Sequence, residues 1–180
     1  MKQGRKSSLI LGLSAFALAA GLAISPIAMA AEDGGGEAPP KCKAGYSYDK
    51  TKKECVKKNA LNDSDLYENG RALAKAGRYV EAIDALTAVR NQKDPMVLTM
   101  LGYSHRKMGD VDAGIALYHQ ALAIDPNSIN TREYLGEGYV AMGRIDLAVG
   151  ELNKLEKLCG VDCEQYVELS SVIAGRSEDW

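Results

Sequence analysis

Several residue types are scarce in this 180-residue chain, which has one Phe, one Trp, two His and five Pro. No Ser or Cys stands at a recognisable nucleophile spacing from a base. No glycine-rich phosphate loop follows a strand, and no His-Glu-x-x-His sequence is present. We therefore predict no catalytic residues, no metal site and no cofactor, and we expect a protein that is not an enzyme.

The chain also lacks an excess of basic residues, because 22 Lys and Arg stand against 24 Asp and Glu, a net charge of −2. Binding of nucleic acid requires Lys and Arg clustered on one face, so we expect no nucleic-acid partner. The two histidines do not form a site in the sequence. His105 is in helical register with Leu98 and Leu101 and is predicted to pack inside, whereas His119 is predicted to point outward.

A long apolar run is found only near the amino terminus, from Leu9 to Ile24. Lys2, Arg5 and Lys6 precede it, and Ala28-Met29-Ala30 follows it, which is the pattern of a secretory signal peptide. We predict a signal peptide at residues 1–30, cleaved after Ala30. A retained anchor is the alternative, although this run is shorter than the roughly 20 residues that span a bilayer.

The rest of the chain is then exported, which in a bacterium places it in the periplasm, without stable membrane insertion after cleavage. Residues 31–40 are rich in Gly and Pro and have no apolar face, so they are predicted to be a flexible linker.

Four cysteines lie beyond this linker, as two pairs close in sequence: Cys42 with Cys55, and Cys159 with Cys163. An even number of cysteines in an exported chain predicts disulfide bonds. Redox activity is an alternative for the Cys159–Cys163 pair, but its Cys-x-x-x-Cys spacing differs from that of thioredoxin-like catalysts. Metal binding would require two further ligands, and no His is nearby.

Residues 41–58 are predicted to form a lysine-rich hairpin bracketed by Cys42 and Cys55, because Tyr46 and Tyr48 alternate before a polar turn. Two interpretations are open. In the first, the hairpin is a disulfide-bonded spacer exposed to solvent. In the second, it is a module that binds cell-wall glycan or an anionic surface through its lysines and tyrosines.

Three segments of the remaining chain share one pattern: residues 63–94, 95–128 and 129–162. The shared positions are a glycine in the first helical stretch (Gly70, Gly102 and Gly136) and a turn glycine seven residues later (Gly77, Gly109 and Gly143). Apolar residues recur at helical spacing on both sides of each turn, which predicts three helix pairs. The first segment is two residues shorter than the others, so the turn that follows it is predicted to be tight.

The middle segment carries Leu101-Gly102, Gly109, Ala121 and Asp125-Pro126, and with this pattern the chain resembles the tetratricopeptide repeat family. The resemblance implies an all-α helical solenoid over residues 63–175. A capping helix at 163–175, with Tyr166, Leu169 and Val172 on one side, is predicted to cover the last repeat. Residues 176–180 are predicted to be a frayed tail.

In that family, stripes of the first helices line a concave groove that binds a peptide or a partner helix. The corresponding stripe here is Tyr67, Arg71, Thr99, Tyr103, Arg106, Glu133 and Glu137. The groove is predicted to run from basic to acidic, with tyrosines as anchors. The alternative is ordinary exposed helix surface. The family's Lys and Asn clamp for a chaperone carboxyl terminus is not matched.

The sequence therefore predicts an exported, non-enzymatic scaffold that binds a protein or peptide partner in the groove. Self-association through an open end of the repeat stack is a further prediction. Binding through the hairpin and thiol redox activity are the alternative functions.

Overall fold

The computed structural model describes residues 38–176, which contain a two-stranded hairpin followed by seven α-helices. The predicted signal peptide, residues 31–37 of the predicted linker and residues 177–180 of the predicted tail lie outside the described residues. The elements, in chain order, are β1 (Tyr46–Asp49), β2 (Glu54–Lys57), α1 (Asp63–Lys75), α2 (Tyr79–Leu86), α3 (Pro95–Lys107), α4 (Val111–Ile124), α5 (Ile129–Ala141), α6 (Ile145–Cys159) and α7 (Glu164–Ile173).

Short polar side chains begin several of these helices by accepting a backbone N–H of the first turn. Asn62 accepts from the N–H of Asp65 at 2.8 Å and starts α1. Asp94 accepts from the N–H of Met96 at 2.8 Å and starts α3, whose first residue is a proline. The Ser128 side chain accepts from the N–H of Thr131 and starts α5. Local sequence therefore fixes where the first helix of each pair begins.

Each helix pair turns at one of the predicted turn glycines. Gly77, Gly109 and Gly143 have φ angles of +73°, +92° and +71°. A residue with a Cβ rarely adopts this left-handed conformation, so glycine allows the second helix to fold back on the first. The structure thus confirms the three predicted helix pairs.

The other repeated glycine lies where two helices touch. A Cβ added to Gly70 would stand 2.5 Å from Leu86 Cγ of α2, and one added to Gly102 would stand 2.7 Å from the ring of Tyr118 of α4. Gly136 differs, because its nearest neighbour is Leu169 of α7, at 2.5 Å from the added Cβ. All three glycines therefore allow the close helix contacts on which the predicted repeat packing depends.

The apolar core follows these contacts along the stack. The almost fully buried residues include one from each of the first two pairs, two from the third pair and one from α7: Leu86, Tyr118, Leu135, Leu155 and Leu169. Leu169 and Val172 of α7 are buried against the last pair, so α7 is the predicted capping helix.

The connection between the first two pairs is longer than predicted. α2 ends at Leu86 and α3 begins at Pro95, whereas only residues 125–128 separate α4 from α5. Polar side chains end α2 early: Thr87 Oγ1 donates to the carbonyl oxygen of Ile83 at 2.8 Å, and Gln92 Nε2 donates to that of Leu86 at 3.0 Å. The prediction of a tight turn was wrong because these side chains satisfy the final carbonyls of the helix.

His105 also departs from its predicted place inside the stack. Its side chain is 32% exposed, and its Nδ1 lies 3.3 Å from Asp110 Oδ2 in the loop after α3. The neighbouring Arg106 turns inward instead and is 5% exposed. His119, in contrast, is exposed as predicted, beside the buried Tyr118.

Candidate partner-binding surface

The seven residues of the predicted groove lie on the first helices of the three pairs. Their stripe runs across α1, α3 and α5, and we call it the first-helix surface: Tyr67, Arg71, Thr99, Tyr103, Arg106, Glu133 and Glu137, with Lys75 and Tyr134 beside them. Side-chain contacts join neighbouring helices along it. Thr99 Oγ1 lies 2.7 Å from Thr131 Oγ1, and the rings of Tyr103 and Tyr134 lie 5.1 Å apart.

Four of the seven residues are buried rather than open to solvent. The exposed fractions are 6% for Thr99, 5% for Arg106, 4% for Glu133 and 7% for Glu137. Tyr67, Arg71 and Tyr103 are half-buried. The sequence pattern placed all seven on one accessible stripe, whereas the structure makes the buried four the floor of that surface and leaves the other three as its accessible part.

Arg106 and Glu137 form a buried ion pair that joins α3 to α5. Arg106 Nη2 donates to Glu137 Oε2, and the two side chains are 3% and 9% exposed. Burial, the largest single influence, lowers the pKa of Arg106, but the charge of Glu137 together with the contacts of Tyr118 and Tyr103 raises that pKa above its ordinary value. The predicted change from basic to acidic along the groove is therefore largely cancelled at its centre, where these opposite charges neutralise each other.

Glu133 lies one turn before Glu137 on α5 and faces the capping helix. Burial raises the pKa of Glu133 to about 10, and a hydrogen bond with Glu168 of α7 contributes to the increase. A carboxyl group with this pKa is protonated at neutral pH. Glu133 is thus a neutral hydrogen-bonding group between α5 and α7 and supplies no negative charge to the surface.

A group of tyrosine rings occupies the middle of the first-helix surface. Tyr103 lies 6.3 Å from Tyr79 and 5.1 Å from Tyr134, measured between ring centroids. The exposed Lys75 places its Nζ 5.5 Å from the centroid of Tyr103 and 5.7 Å from that of Tyr134. Such cation–π contacts hold the lysine over the rings.

The sequence pattern missed Tyr134, because the predicted stripe passed through its neighbour Glu133. An aromatic residue on the first helix of every pair (Tyr67, Tyr103 and Tyr134) is the signal that could have identified it. The solvent-accessible part of the first-helix surface is therefore mainly aromatic and basic: Tyr67, Arg71, Lys75 and Tyr103.

Comparison with known proteins identifies this architecture. Residues 96–128, which are α3, α4 and the turn after them, match the family model described as Tetratricopeptide repeat. The helical region has the tetratricopeptide-repeat fold. No curated protein matches the sequence.

Solved tetratricopeptide-repeat structures resemble the domain at low sequence identity. A crystal structure of MamA superposes with a TM-score of 0.55 at 19% identity, covering 66% of this chain and 70% of MamA. The first such domain of Spaghetti (RPAP3), bound to an HSP90 peptide, superposes with a TM-score of 0.55 at 19% identity, covering 63% of this chain and 92% of the other. SycD from Yersinia enterocolitica, in complex with a peptide of the translocator YopD, superposes with a TM-score of 0.53 at 21% identity, covering 63% of this chain and 87% of SycD. These similarities establish the fold.

The hairpin is attached to the first helix pair of the repeat domain. Cys42 and Cys55 form a disulfide bond, and the strands pair antiparallel with Tyr48 opposite Cys55. Asn69 of α1, which is 1% exposed, donates through Nδ2 to Ser47 Oγ at 3.1 Å and to the carbonyl oxygen of Tyr48 at 2.5 Å. Lys58 forms an ion pair with Asp84 of α2. The hairpin is therefore docked on the domain and is not a free spacer.

Ordered contacts begin before the hairpin, in a segment predicted to be flexible. Pro39 is buried, and its carbonyl oxygen accepts a hydrogen bond from Arg78 Nη1. Between the hairpin and the first helix pair lies a cleft of about 420 Å³, with Pro40, Tyr46, Tyr48 and Val80 in its lining.

The second cysteine pair also forms a disulfide bond, between Cys159 at the end of α6 and Cys163 before α7. No cysteine of the described region is free. Within residues 38–176 there is no group of three or more His, Cys, Asp and Glu side chains that could bind a metal ion. No helix of that same part of the chain has the length and hydrophobicity needed to cross a membrane.

Proposed function

We propose that this protein is an exported, non-enzymatic scaffold that binds a segment of a partner protein on the first-helix surface of its tetratricopeptide-repeat domain. The fold supports this proposal, since the similar domains of RPAP3 and SycD were solved with bound peptides. Two disulfide bonds support export, because disulfides persist in oxidising compartments. The predicted signal peptide is the sequence basis for the same conclusion.

The observation that carries the proposal is the accessible tyrosine and lysine patch above a rigid floor. Tyr67 and Tyr103 are half-buried, so each presents part of a ring while the rest of the side chain is fixed by packing. Flat aromatic residues lose little conformational entropy on binding and are enriched among residues that dominate interface energies. Beneath them, the Arg106–Glu137 pair holds α3 and α5 together, so that the patch is preorganised.

The charge of the patch indicates which kind of partner side chains it favours. Lys75 is exposed and makes no ion pair among residues 38–176, while Arg71 is 40% exposed and lies 3.3 Å from Glu68. We infer that the partner segment inserts apolar or aromatic side chains between the tyrosines and places polar or acidic groups next to Lys75.

The test is site-specific photo-crosslinking in intact cells. A photoreactive residue in place of Lys75 is expected to form a covalent adduct with a partner protein. The same residue in place of Lys93, which is exposed in the connection after α2, is the control and is expected to give no adduct. Adducts of the same protein at both positions, or at neither, would contradict binding on the first-helix surface.

A pair of matched variants measures the contribution of the patch. Arg71→Ala with Lys75→Ala is expected to reduce partner capture, whereas Arg90→Ala with Lys93→Ala removes the same charge away from the patch and should not. Arg106 is unsuitable for this test, because substituting it alone leaves Glu137 buried without its partner and so tests stability. Equal capture by both double variants would argue against the proposal.

A further inference from the structure

The net charge of the chain conceals two regions of opposite charge. Residues 41–58, which contain the hairpin, have seven lysines against two acidic residues, a net charge of +5. Residues 59–180 have 12 basic against 19 acidic residues, a net charge of −7. The hairpin is docked on α1 and α2, so within the described residues the positive charge is concentrated at the amino-terminal end of the repeat stack.

Most of the hairpin lysines are available for an intermolecular contact. Lys52 pairs with Asp49, and Lys58 pairs with Asp84. The remaining lysines are exposed and form no ion pair within residues 38–176: Lys41, Lys43, Lys50, Lys53 and Lys57. Two of these lysines, Lys41 and Lys43, line the cleft of about 420 Å³, whose apolar lining includes Tyr46, Tyr48 and Val80. This end therefore offers a concave apolar site with a basic rim.

The opposite end of the stack has the complementary character. Leu158, Val161 and Val167, at the end of α6, in the next turn and in α7, are 39%, 48% and 53% exposed. Close to them in the sequence, against one exposed lysine, Lys157, are three exposed acidic residues that form no ion pair among the described residues: Glu156, Asp162 and Glu164. A terminal repeat normally covers its apolar surface with a polar outer face. Here α7 covers the last pair through Leu169 and Val172, but the end of α6 and the outer side of α7 still expose apolar side chains beside acidic residues.

We propose that copies of this protein associate head to tail, with the hairpin end of one copy docked on the α6–α7 end of the next. The exposed valines and Leu158 enter the cleft beside the hairpin, and the lysine rim faces the acidic rim. The charges select this arrangement, because two hairpin ends or two α6–α7 ends would repel each other. A contact between two different surfaces does not close on itself by a two-fold axis, so it generates rings or open chains of copies rather than a symmetric dimer.

The test is sedimentation of the purified full chain, compared with two neutralised variants in the same amino-terminal form. One variant carries Lys41→Gln and Lys43→Gln at the cleft beside the hairpin, and the other carries Glu156→Gln and Glu164→Gln at the opposite end. A third, Arg90→Gln with Lys93→Gln, is the charge-matched control for the lysine variant. The wild type and the control are expected to associate with increasing concentration, and each end variant to associate about tenfold more weakly.

Mixing the two end variants gives the decisive result, since each retains one intact end. An equimolar mixture is expected to form a one-to-one dimer that grows no further, and raising the ionic strength from about 20 mM to about 500 mM should dissociate it. A wild type that stays monomeric overturns the proposal, and so does a mixture that associates no better than its components. Association that is equally strong in all variants, or that requires an added anionic polymer, overturns it as well. All variants should retain the wild-type melting temperature, which separates lost association from lost folding.

Discussion

A Cβ added to Gly114 of α4 would stand 2.8 Å from the carbonyl oxygen of Gly102 of α3 and 3.0 Å from Arg106 Cβ. Both neighbours belong to or adjoin the backbone, so neither can move aside without shifting a helix. The two glycines therefore allow α3 and α4 to approach more closely than side chains would permit.

This contact predicts that Gly114→Ala destabilises the protein. By helix propensity alone, alanine in place of an interior glycine gains about 1 kcal/mol. Overpacking at a tight contact costs about 1–3 kcal/mol, and here it should outweigh that gain. Chemical denaturation of the two proteins measures the sign directly.

Gly150→Ala is the matched control for this substitution. Gly150 lies inside α6, and a Cβ there would meet nothing within 4 Å. This variant is expected to be more stable than wild type by about 0.5–1 kcal/mol. If Gly114→Ala were stabilising to the same extent, helix propensity would decide both sites and the proposed close approach would have no energetic importance.

The spacing of glycines predicted the helix pairs because the physical cause is local and repeats. Gly77 and Gly109 are needed for left-handed turns, and Gly70 and Gly102 for close helix contacts, so the same residue recurs at the same offsets. Periodicity could also identify the face of each helix that is apolar. These features account for the fold that the sequence predicted.

The floor of the candidate site could not be predicted in the same way. Arg106 and Glu137 are residue types that are usually exposed, and they belong to different pairs, so only the placement of α5 against α3 buries them together. Docking of the hairpin depends on Asn69, whose sequence context gives no sign of a buried role. Such contacts arise from tertiary packing rather than from local pattern.

The raised pKa of Glu133 predicts a specific pH dependence of stability. Between the ordinary value of 4.5 and about 10, the folded protein keeps this proton and the unfolded chain has lost it. Folding therefore takes up a proton, and the free energy of unfolding falls as pH rises, by up to about 1.4 kcal/mol per pH unit from this group. Glu133→Gln should remove this contribution.

The measurement is urea denaturation of wild type and Glu133→Gln at pH values from about 5.5 to about 8.5, where the linkage should operate. The variant is expected to gain stability relative to wild type as pH increases. Glu156→Gln, an exposed glutamate of α6, serves as the control and should follow the wild type. A constant difference between Glu133→Gln and wild type across this range would mean that Glu133 is ionised in the folded state.

The two disulfide bonds are expected to contribute unequally. The Cys42–Cys55 bond joins residues 13 apart, and the Cys159–Cys163 bond joins residues 4 apart. On the chain-entropy model the longer loop contributes about 3 kcal/mol and the shorter about 2 kcal/mol. Replacing Cys42 and Cys55 by Ser should therefore be the more destabilising change, with hydrogen exchange faster mainly in β1 and β2. Faster exchange throughout α3 to α5 instead would show that hairpin docking supports the whole stack.

The buried pair of Arg106 and Glu137 can be examined by a double-mutant cycle. Arg106→Met leaves Glu137 buried without its partner, and Glu137→Met leaves Arg106 in the same condition. Removal of one partner of a buried pair typically costs about 3–5 kcal/mol, whereas replacement of both by apolar residues costs much less. We expect the double variant to be more stable than either single variant, as measured by chemical denaturation.

The same cycle separates the structural role of this pair from partner binding. Because both side chains form the floor of the first-helix surface, the double variant should keep the tyrosines and Lys75 in place and should still capture the partner. A double variant as unstable as the singles would contradict the ion pair seen between α3 and α5. A stable double variant that no longer captures the partner would show instead that the partner contacts these charges directly, and that the surface opens on binding to expose them.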